Sequence, residues 1–231
     1  MSIYISASLL EDYIACTRRP FYRLNRSDTS IQDRDMITGE VVHKAIELYW
    51  NNKSAANDHV AKDLGLRLSG DRNALDHAIT CVDTFFTHFA EYCTDTDEVE
   101  SRFKIQLPWD KQVFVVGKID RIAGEKLFDW KTTRKPPKSV AKNIQFILYN
   151  WAYNKTHGKR PFASYYGALS TGELILHRYD AVLEDIVVHE LIPQVVSDIR
   201  NKNYLRSGMF RGACYKCQYS DVCLKEIKWD G

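Results

Sequence analysis

Hydrophobic and polar residues follow a helical period in the first part of the chain. Apolar side chains recur every three to four positions over about 38–52 and again over about 71–93, which predicts two amphipathic helices. Ser8 stands three residues before Glu11, the spacing of a capping box, and predicts a shorter helix that runs to about Cys16. The N-terminal part is therefore predicted to be helical.

In the middle of the chain, apolar residues occupy every second position, which is typical of β-strands. Three such stretches follow one another at 100–109, 111–120 and 126–132. Their short connections favour an antiparallel meander. Two further strands, at 162–169 and 173–180, are joined by a Ser-Thr-Gly turn.

A helix over 139–158 separates the two groups of strands. Ser139 is its predicted N-cap, and Gly158 with Pro161 supplies its end. This passage is long enough for a crossover that makes the next strand parallel. A last helix over about 183–203 precedes a cysteine-rich tail. The order helix-strand-strand-strand-helix-strand predicts an α/β fold with a mixed sheet and a helical N-terminal part.

Length and charge narrow the class of protein. A chain of 231 residues can bury a full core as one domain. The formal charge of +2 is close to neutral, so this is not a generally basic protein that coats nucleic acid. Positive charge is concentrated in two stretches, 17–26 and 131–138, which are either solvated loops or local sites for a polyanion.

The start of the sequence lacks the basic segment and the apolar core of a signal peptide. No apolar run approaches the roughly 20 residues that span a bilayer. We therefore expect a cytoplasmic protein without a membrane partner, in a compartment where thiols stay reduced. There, six cysteines are expected to be ligands or small buried hydrophobes rather than disulfides.

The stretch around the second and third strands carries the candidate chemistry. If Gly124–Glu125 is a two-residue turn, Asp120 lies directly opposite Asp129, and Lys131 emerges on the same face as Asp129. Like charges at about 4.5–5.5 Å destabilise a hairpin. Either both acids face water, or a divalent cation such as Mg²⁺ or Mn²⁺ lies between them.

Two helices add polar residues that mean little alone. His43 lies away from the apolar stripe of its helix, between Glu40 and Glu47. Gln145 and Tyr149 are one turn apart on one face of the 139–158 helix. Either pattern is common on ordinary helices.

Together, these residues resemble the pattern of the PD-(D/E)XK nuclease superfamily, specifically its RecB-like exonucleases and the related CRISPR-associated nucleases. The motifs stand in the family's order: Gly39…His43, Gly117…Asp120, Asp129-Trp130-Lys131 and Gln145…Tyr149. The resemblance implies the family's restriction-endonuclease-like core. It also implies a Mg²⁺ or Mn²⁺ ion held by His43, Asp120, Asp129 and the backbone carbonyl of Trp130. The catalytic set that it implies is Asp120, Asp129, Lys131, Gln145 and Tyr149, with Glu100 as a candidate accessory acid.

The tail contains three closely spaced cysteines, Cys214, Cys217 and Cys223, which need a fourth ligand to complete a site. Cys16 is the candidate. In the nuclease subfamily that the chain resembles, one cysteine before the core and three after it bind a [4Fe–4S] cluster. A Cys₄ zinc site is the main alternative, and unligated core thiols are a third. Cys81 and Cys93, among the phenylalanines of the 71–93 helix, are predicted to be buried hydrophobes.

The resemblance implies a DNA nuclease, an exonuclease on single-stranded DNA or DNA ends. We expect a single domain over 1–231, with a core over about 34–200 and an iron–sulfur cap made of 1–26 and 205–231. Candidate DNA-binding residues are Arg18, Arg19, Tyr22, Arg23 and Arg134. The alternative is a DNA-binding or assembly subunit of a CRISPR adaptation or recombination complex, active only with its protein partner.

Overall fold

A computed structural model describes residues 2–25 and 34–226. Contacts between these residues group them into two compact units. One unit comprises 2–25, 104–116 and 181–226, and the other comprises 34–103 and 117–180. No helix in the described ranges is both long enough and apolar enough to cross a membrane.

The expected division into a core over about 34–200 and a cap made of 1–26 and 205–231 stays a prediction. Residues 1, 26 and 227–231 of that cap lie outside the described residues, as does the end of the basic stretch 17–26.

The predicted helices and strands follow one another along the chain in the predicted order. In chain order the helices are α1 (Ala7–Ala15), α2 (Arg19–Asn25), α3 (Arg34–Tyr49), α4 (Lys53–Arg67), α5 (Arg72–His88), α6 (Ile144–His157), α7 (Ala181–Asp185), α8 (Ile192–Arg200) and α9 (Ser220–Lys225). The strands are β1 (Ile3–Ile5), β2 (Glu98–Leu107), β3 (Asp110–Ala123), β4 (Lys126–Lys131), β5 (Ala163–Ala168) and β6 (Glu173–His177). A π-helical turn, Ile186–Leu191, joins α7 to α8 just before Pro193, which has no N–H to continue an α-helical ladder.

The strands form a mixed sheet in the order β1-β3-β4-β5-β6, with β2 paired to β3. β3 and β4 are antiparallel, β4 and β5 are parallel, and β5 and β6 are antiparallel. The predicted hairpins and the crossover through α6 are therefore confirmed, and with them the α/β fold class.

The hairpin of β3 and β4 has the predicted register, in which Arg121 faces Phe128 and Ala123 faces Lys126. Gly124 at its turn has φ of 60°, a left-handed conformation that glycine adopts without strain. This register is what fixes the acidic residues of both strands at the same level of the sheet.

The core of the 34–103 and 117–180 unit packs α3, α4 and α5 against one face of β4. Phe128 and Trp130 stack at 5.3 Å between ring centroids, and Phe85 of α5 meets Trp130 edge-on at 5.5 Å. Side chains alternate along a strand, so these aromatic residues leave Asp129 and Lys131 on the opposite face. Aromatic packing thus anchors the strand that carries the polar residues.

Two predicted helix starts are wrong. α1 is capped by Ser6, whose hydroxyl accepts from the Leu9 N–H at 3.2 Å, and not by Ser8. α6 is capped by Asn143, which accepts from the Phe146 N–H at 3.2 Å, and not by Ser139. In both cases an equally suitable cap residue lies nearby, and packing of the helix decides between them.

The helix predicted over 71–93 is shorter than expected, because α5 ends at His88 and Cys93 follows a 3₁₀ turn, Ala90–Tyr92. Four elements, β1, α2, α4 and α9, were not predicted. β1 is only three residues long, and α4 presents mainly polar residues around its buried Val60 and Leu64.

In the other unit, Asp198 of α8 links two segments. Its carboxylate accepts from the Tyr13 hydroxyl of α1 at 2.5 Å and from the Asn203 side-chain amide at 3.0 Å. Burial tends to raise the pKa of Asp198, but the hydrogen bonds from Tyr13, Gln194 and Asn203 together outweigh it and the pKa is lowered. This bond ties α1 to α8 within the unit.

His177 gives the fold a testable response to acid. It is buried at 4% exposure and stacks on Phe146 at 5.4 Å, and burial lowers its pKa below the ordinary value. The unfolded chain therefore binds this proton more readily, so stability should fall as the pH drops below about 6.5. We expect His177→Phe to flatten this fall, measured by urea unfolding between pH 7.5 and 5. The same change at exposed His189 should leave the slope unaltered, and an unaltered slope in His177→Phe would contradict the assignment.

Candidate active site

Asp129 is the acidic residue of β4, and it is buried at 1% exposure. The Lys131 ammonium lies 2.8 Å from its Oδ2, yet neither carboxylate oxygen has a hydrogen-bond partner among the described residues. Burying a carboxylate without hydrogen bonds is costly unless a cation is bound to it. The carboxylate therefore has room in its coordination for a further ligand besides Lys131.

Asp120 of β3 completes the predicted pair. Its Oδ2 accepts from the Trp130 backbone N–H at 2.7 Å and lies 3.4 Å from His43 Nδ1. The Asp120 carboxylate thus accepts a hydrogen bond from one backbone N–H of β4 and lies beside His43 of α3. Two of the four predicted metal ligands, His43 and Asp120, contact one another here, and metal binding by Asp129 and by the carbonyl of Trp130 stays a prediction.

The charged groups of the site shift one another's pKa values. Burial raises the pKa of Asp129 to about 6, with Lys131 opposing this and Asp120 adding to it. For Asp120, burial is outweighed by His43 and Lys131, and the pKa is lowered. Burial also disfavours the charged forms of His43 and Lys131, but the facing carboxylates outweigh it and raise both pKa values. In the protein alone, these two residues are the positive partners of the acids.

Glu100 in β2 joins the site through an unusual backbone. Its φ is 53°, a left-handed conformation that costs a side-chain-bearing residue roughly 1 kcal/mol. One ligand atom each from Glu100, His43 and Asp120 lies within 4.8 Å of the others, and Lys118 forms an ion pair with Glu100. The sequence marked Glu100 only as an accessory acid, because no spacing signal reveals a left-handed backbone.

The donor set fits a divalent cation. Carboxylate oxygens and one imidazole nitrogen suit Mg²⁺ or Mn²⁺ better than a soft metal. Among the described residues, Asp129 falls outside the three-residue group of His43, Glu100 and Asp120. Asp120 is therefore the carboxylate common to both parts of the site.

Gln145 and Tyr149 of α6 are hydrogen-bonded to one another and to β3, and their place in the catalytic set stays a prediction. Gln145 Nε2 donates to the Tyr149 hydroxyl at 2.6 Å, and that hydroxyl donates to the Lys118 carbonyl. Tyr149 is buried, at 4% exposure. The pair fixes α6 to β3 two residues before Asp120, which is a positioning role.

The four-cysteine site consists of Cys16, Cys214, Cys217 and Cys223, which line one cavity with about 360 Å³ of open space. Burial and the other three thiols raise the pKa of Cys214. No three of these sulfur atoms, all in the described part of the chain, lie within 4.8 Å of one another. Cys81 and Cys93 are buried, as predicted.

Gly208 packs directly on Cys16. A Cβ at this position would lie 2.8 Å from the Cys16 Cβ and 3.1 Å from its sulfur. The sequence offered no signal for this contact, since the two residues are far apart in the chain.

Four of the five predicted DNA-binding residues contact protein groups of the unit that contains the four cysteines. Arg18 lies 3.0 Å from Glu226, Arg19 donates to the Ala213 carbonyl at 2.9 Å, Arg23 lies 2.8 Å from Asp12, and Tyr22 donates to Glu226 at 2.6 Å. Tyr22 is 1% exposed and cannot stack on a base without moving. These contacts pack the surroundings of the four-cysteine site, and DNA binding by these residues stays a prediction. Arg134 is different: it is exposed, and its hydrogen bond is to the Asn73 carbonyl at 3.4 Å.

Comparison with known proteins supplies the family. A family model described as the PD-(D/E)XK nuclease superfamily matches residues 4–224. Among solved structures, the one titled "Crystal structure of SSO0001" aligns with 97% of this chain and 87% of its own, with a TM-score of 0.46 and 15% sequence identity. That similarity is too low to support an argument. No curated protein matches the chain.

The buried carboxylate of Asp129 should weaken the metal-free protein. Its folded pKa of about 6 lies above the ordinary value of 3.8, so the folded state loses stability as the pH rises between those values. We expect Asp129→Asn to raise the unfolding free energy by about 1–2 kcal/mol at pH 7.5 in EDTA, and not at pH 4. The variant should also lose stabilisation by Mn²⁺. Asp95→Asn, at an exposed position, is the control; a destabilised Asp129→Asn protein in EDTA would contradict the assignment.

Two substitutions at Glu100 separate backbone strain from metal binding. Glu100→Gly removes the strain and Glu100→Ala keeps it, so the glycine variant should be more stable by roughly 1 kcal/mol in EDTA. Both should lose the same part of the Mn²⁺-induced rise in melting temperature. Unchanged Mn²⁺ stabilisation in both variants would remove Glu100 from the ligand set.

Proposed function

The chain belongs to the PD-(D/E)XK nuclease superfamily, and from this premise we propose that it is a Mg²⁺- or Mn²⁺-dependent deoxyribonuclease. We propose further that it is an exonuclease acting on single-stranded DNA or DNA ends. The observation that carries the proposal is the buried carboxylate of Asp129, unsatisfied by hydrogen bonds and 2.8 Å from Lys131. The choice of DNA rests on the resemblance to RecB-like nucleases.

Each residue of the proposed active site has a role that follows from its chemistry. His43, Asp120, Asp129 and the Trp130 carbonyl would hold the ion, with Glu100 as a further carboxylate. When bound, such an ion polarises phosphoryl oxygens and lowers the pKa of a coordinated water. Lys131 presents a compact positive charge where negative charge builds up on the phosphoryl group. Its ion pair with Asp129 holds that ammonium beside the ligands.

Gln145 and Tyr149 contribute through position alone. Because the Tyr149 hydroxyl donates to the Lys118 carbonyl, the path of β3 before Asp120 is fixed. Their role is therefore to keep Asp120 level with Asp129.

For the four-cysteine site, the proposed occupant is a [4Fe–4S] cluster. Support comes from the four thiols that line one cavity and from the resemblance to nucleases in which one cysteine before the core and three after it bind such a cluster. Thiolate ligands suit both occupants, so chemical analysis of the purified protein distinguishes them.

The alternative function, a DNA-binding or assembly subunit within a CRISPR or recombination complex, predicts no cleavage by the isolated chain. The distinguishing assay uses single strands labelled at the 5′ or the 3′ end, with Mn²⁺ or with EDTA. Shortening from one labelled end in Mn²⁺ alone supports the exonuclease.

Lys131→Ala tests the catalytic assignment in the same assay. Loss of this charge should lower the rate of Mn²⁺-dependent cleavage roughly 10²–10³-fold, because it acts where charge develops. Lys126→Ala, an exposed lysine on the same strand, should cleave normally. Cleavage by Lys131→Ala at the wild-type rate would refute the assignment.

Gly208→Ala tests the four-cysteine site without removing a ligand. The added methyl group would crowd Cys16, so the anaerobically purified variant should contain less iron and acid-labile sulfide per chain and be destabilised by about 1–3 kcal/mol. Gly65→Ala in α4 meets no atom within 4 Å and should keep its iron content. Stoichiometric zinc in place of iron in the wild type would overturn the cluster.

A further inference from the structure

A wide cleft opens beside the candidate active site, with about 1110 Å³ of open space. The start of α3, one face of α5 and the segment 131–135 line it, and His43 and Lys131 are part of its wall. The cleft therefore reaches the residues of the proposed reaction directly.

The lining of this cleft is basic. Lys131, Arg134 and Lys135 contribute three positive groups, against the single carboxylate of Asp35 among the described lining residues. Neither Arg134 nor Lys135 makes an ion pair within the described ranges, in contrast to Arg18 and Arg23. Unpaired positive groups on a concave surface attract a polyanion.

A second, smaller cavity on the other side of His43 is acidic. It has about 240 Å³ of open space, and its charged lining residues are three acids, Glu47, Glu100 and Asp120, against the single base Arg121. His43 lines both cavities. Groups suited to a cation therefore line one of the two cavities that share His43, and groups suited to an anion line the other.

The basic segment is held in place by side chains from three directions. His77 Nε2 lies 2.6 Å from the Thr132 carbonyl, to which it donates, and the Ser170 hydroxyl donates to the Thr133 carbonyl at 2.6 Å. Arg134 reaches back to the Asn73 carbonyl. A ligand that binds here need not order this part of the chain, which lowers the entropic cost of binding.

We propose that this cleft holds the sugar–phosphate backbone of the substrate strand next to the scissile phosphate, with Arg134 and Lys135 each contacting a phosphate. The inference rests on the proposed nuclease function and names the groups that position its substrate. Phosphate contacts carry no base information, so binding in the cleft is independent of sequence.

The salt dependence of binding tests this directly. An oligo(dT) single strand is titrated with the protein in EDTA, where no cleavage occurs, at several salt concentrations. Each lost phosphate contact on a single strand reduces the slope of log affinity against log salt by about 0.7. Arg134→Gln and Lys135→Gln should each show this reduction, with affinity weakened several-fold and KM for Mn²⁺-dependent cleavage raised at unchanged kcat.

Two matched variants sharpen the result. Lys138→Gln makes the same charge change on the same stretch but outside the cleft lining, and should keep the wild-type slope. Asp35→Asn removes the opposing charge and should tighten binding. Equal slope changes in Lys138→Gln and Lys135→Gln, or unchanged slopes in both cleft variants, would overturn the cleft assignment.

The outcome also separates this inference from the proposed function. If the wild type cleaves DNA but the cleft variants bind and cleave as it does, the cleft assignment alone fails. If the wild type neither binds nor cleaves any strand, the nuclease proposal fails and the cleft assignment with it.

Discussion

A carboxylate that the fold buries but does not satisfy is the constraint around which this protein is arranged. Asp129 is held inside the protein, near a second acid, with the Lys131 ammonium 2.8 Å from its carboxylate. Such a group opposes folding, so the strand that carries it must be fixed by other means. The aromatic residues on the opposite face of β4 supply this: Phe128 and Trp130 pack on one another and on α5. Alternate residues of this short strand thus have different roles: Phe128 and Trp130 pack in the core, and Asp129 and Lys131 form the polar site.

The same strand leads into the groups that we propose bind the substrate. Lys131 ends β4, and the following residues form the basic wall of the cleft. Asp120 and Asp129, proposed to hold the cation, and the basic residues proposed to hold phosphate therefore come from one continuous stretch, and His43 lines both cavities. This arrangement brings opposite charges close without letting them neutralise one another, because the side chains of the acids are buried and those of Arg134 and Lys135 are exposed.

Much of the site could be predicted from the sequence because it depends on local rules. A two-residue turn fixes a register, and the register places Asp120 level with Asp129. Interactions between distant segments could not be predicted. Charge alone made Arg18 and Arg23 candidate ligands of DNA, while their partners, Glu226 and Asp12, become visible only in the folded chain. Glu100 was undervalued for a related reason, since its direction is set by a strained backbone and not by a residue pattern.

The unit that contains the four-cysteine site is assembled from three separate stretches of the chain. Cys16 is translated before residues 34–180, whereas Gly208, which packs on it, and the other three cysteines are translated after them. The nascent chain therefore carries an incomplete set of thiols while residues 34–180 are already available to fold. Until the last of these cysteines has been made, Cys16 stays open to oxidation or to a competing metal.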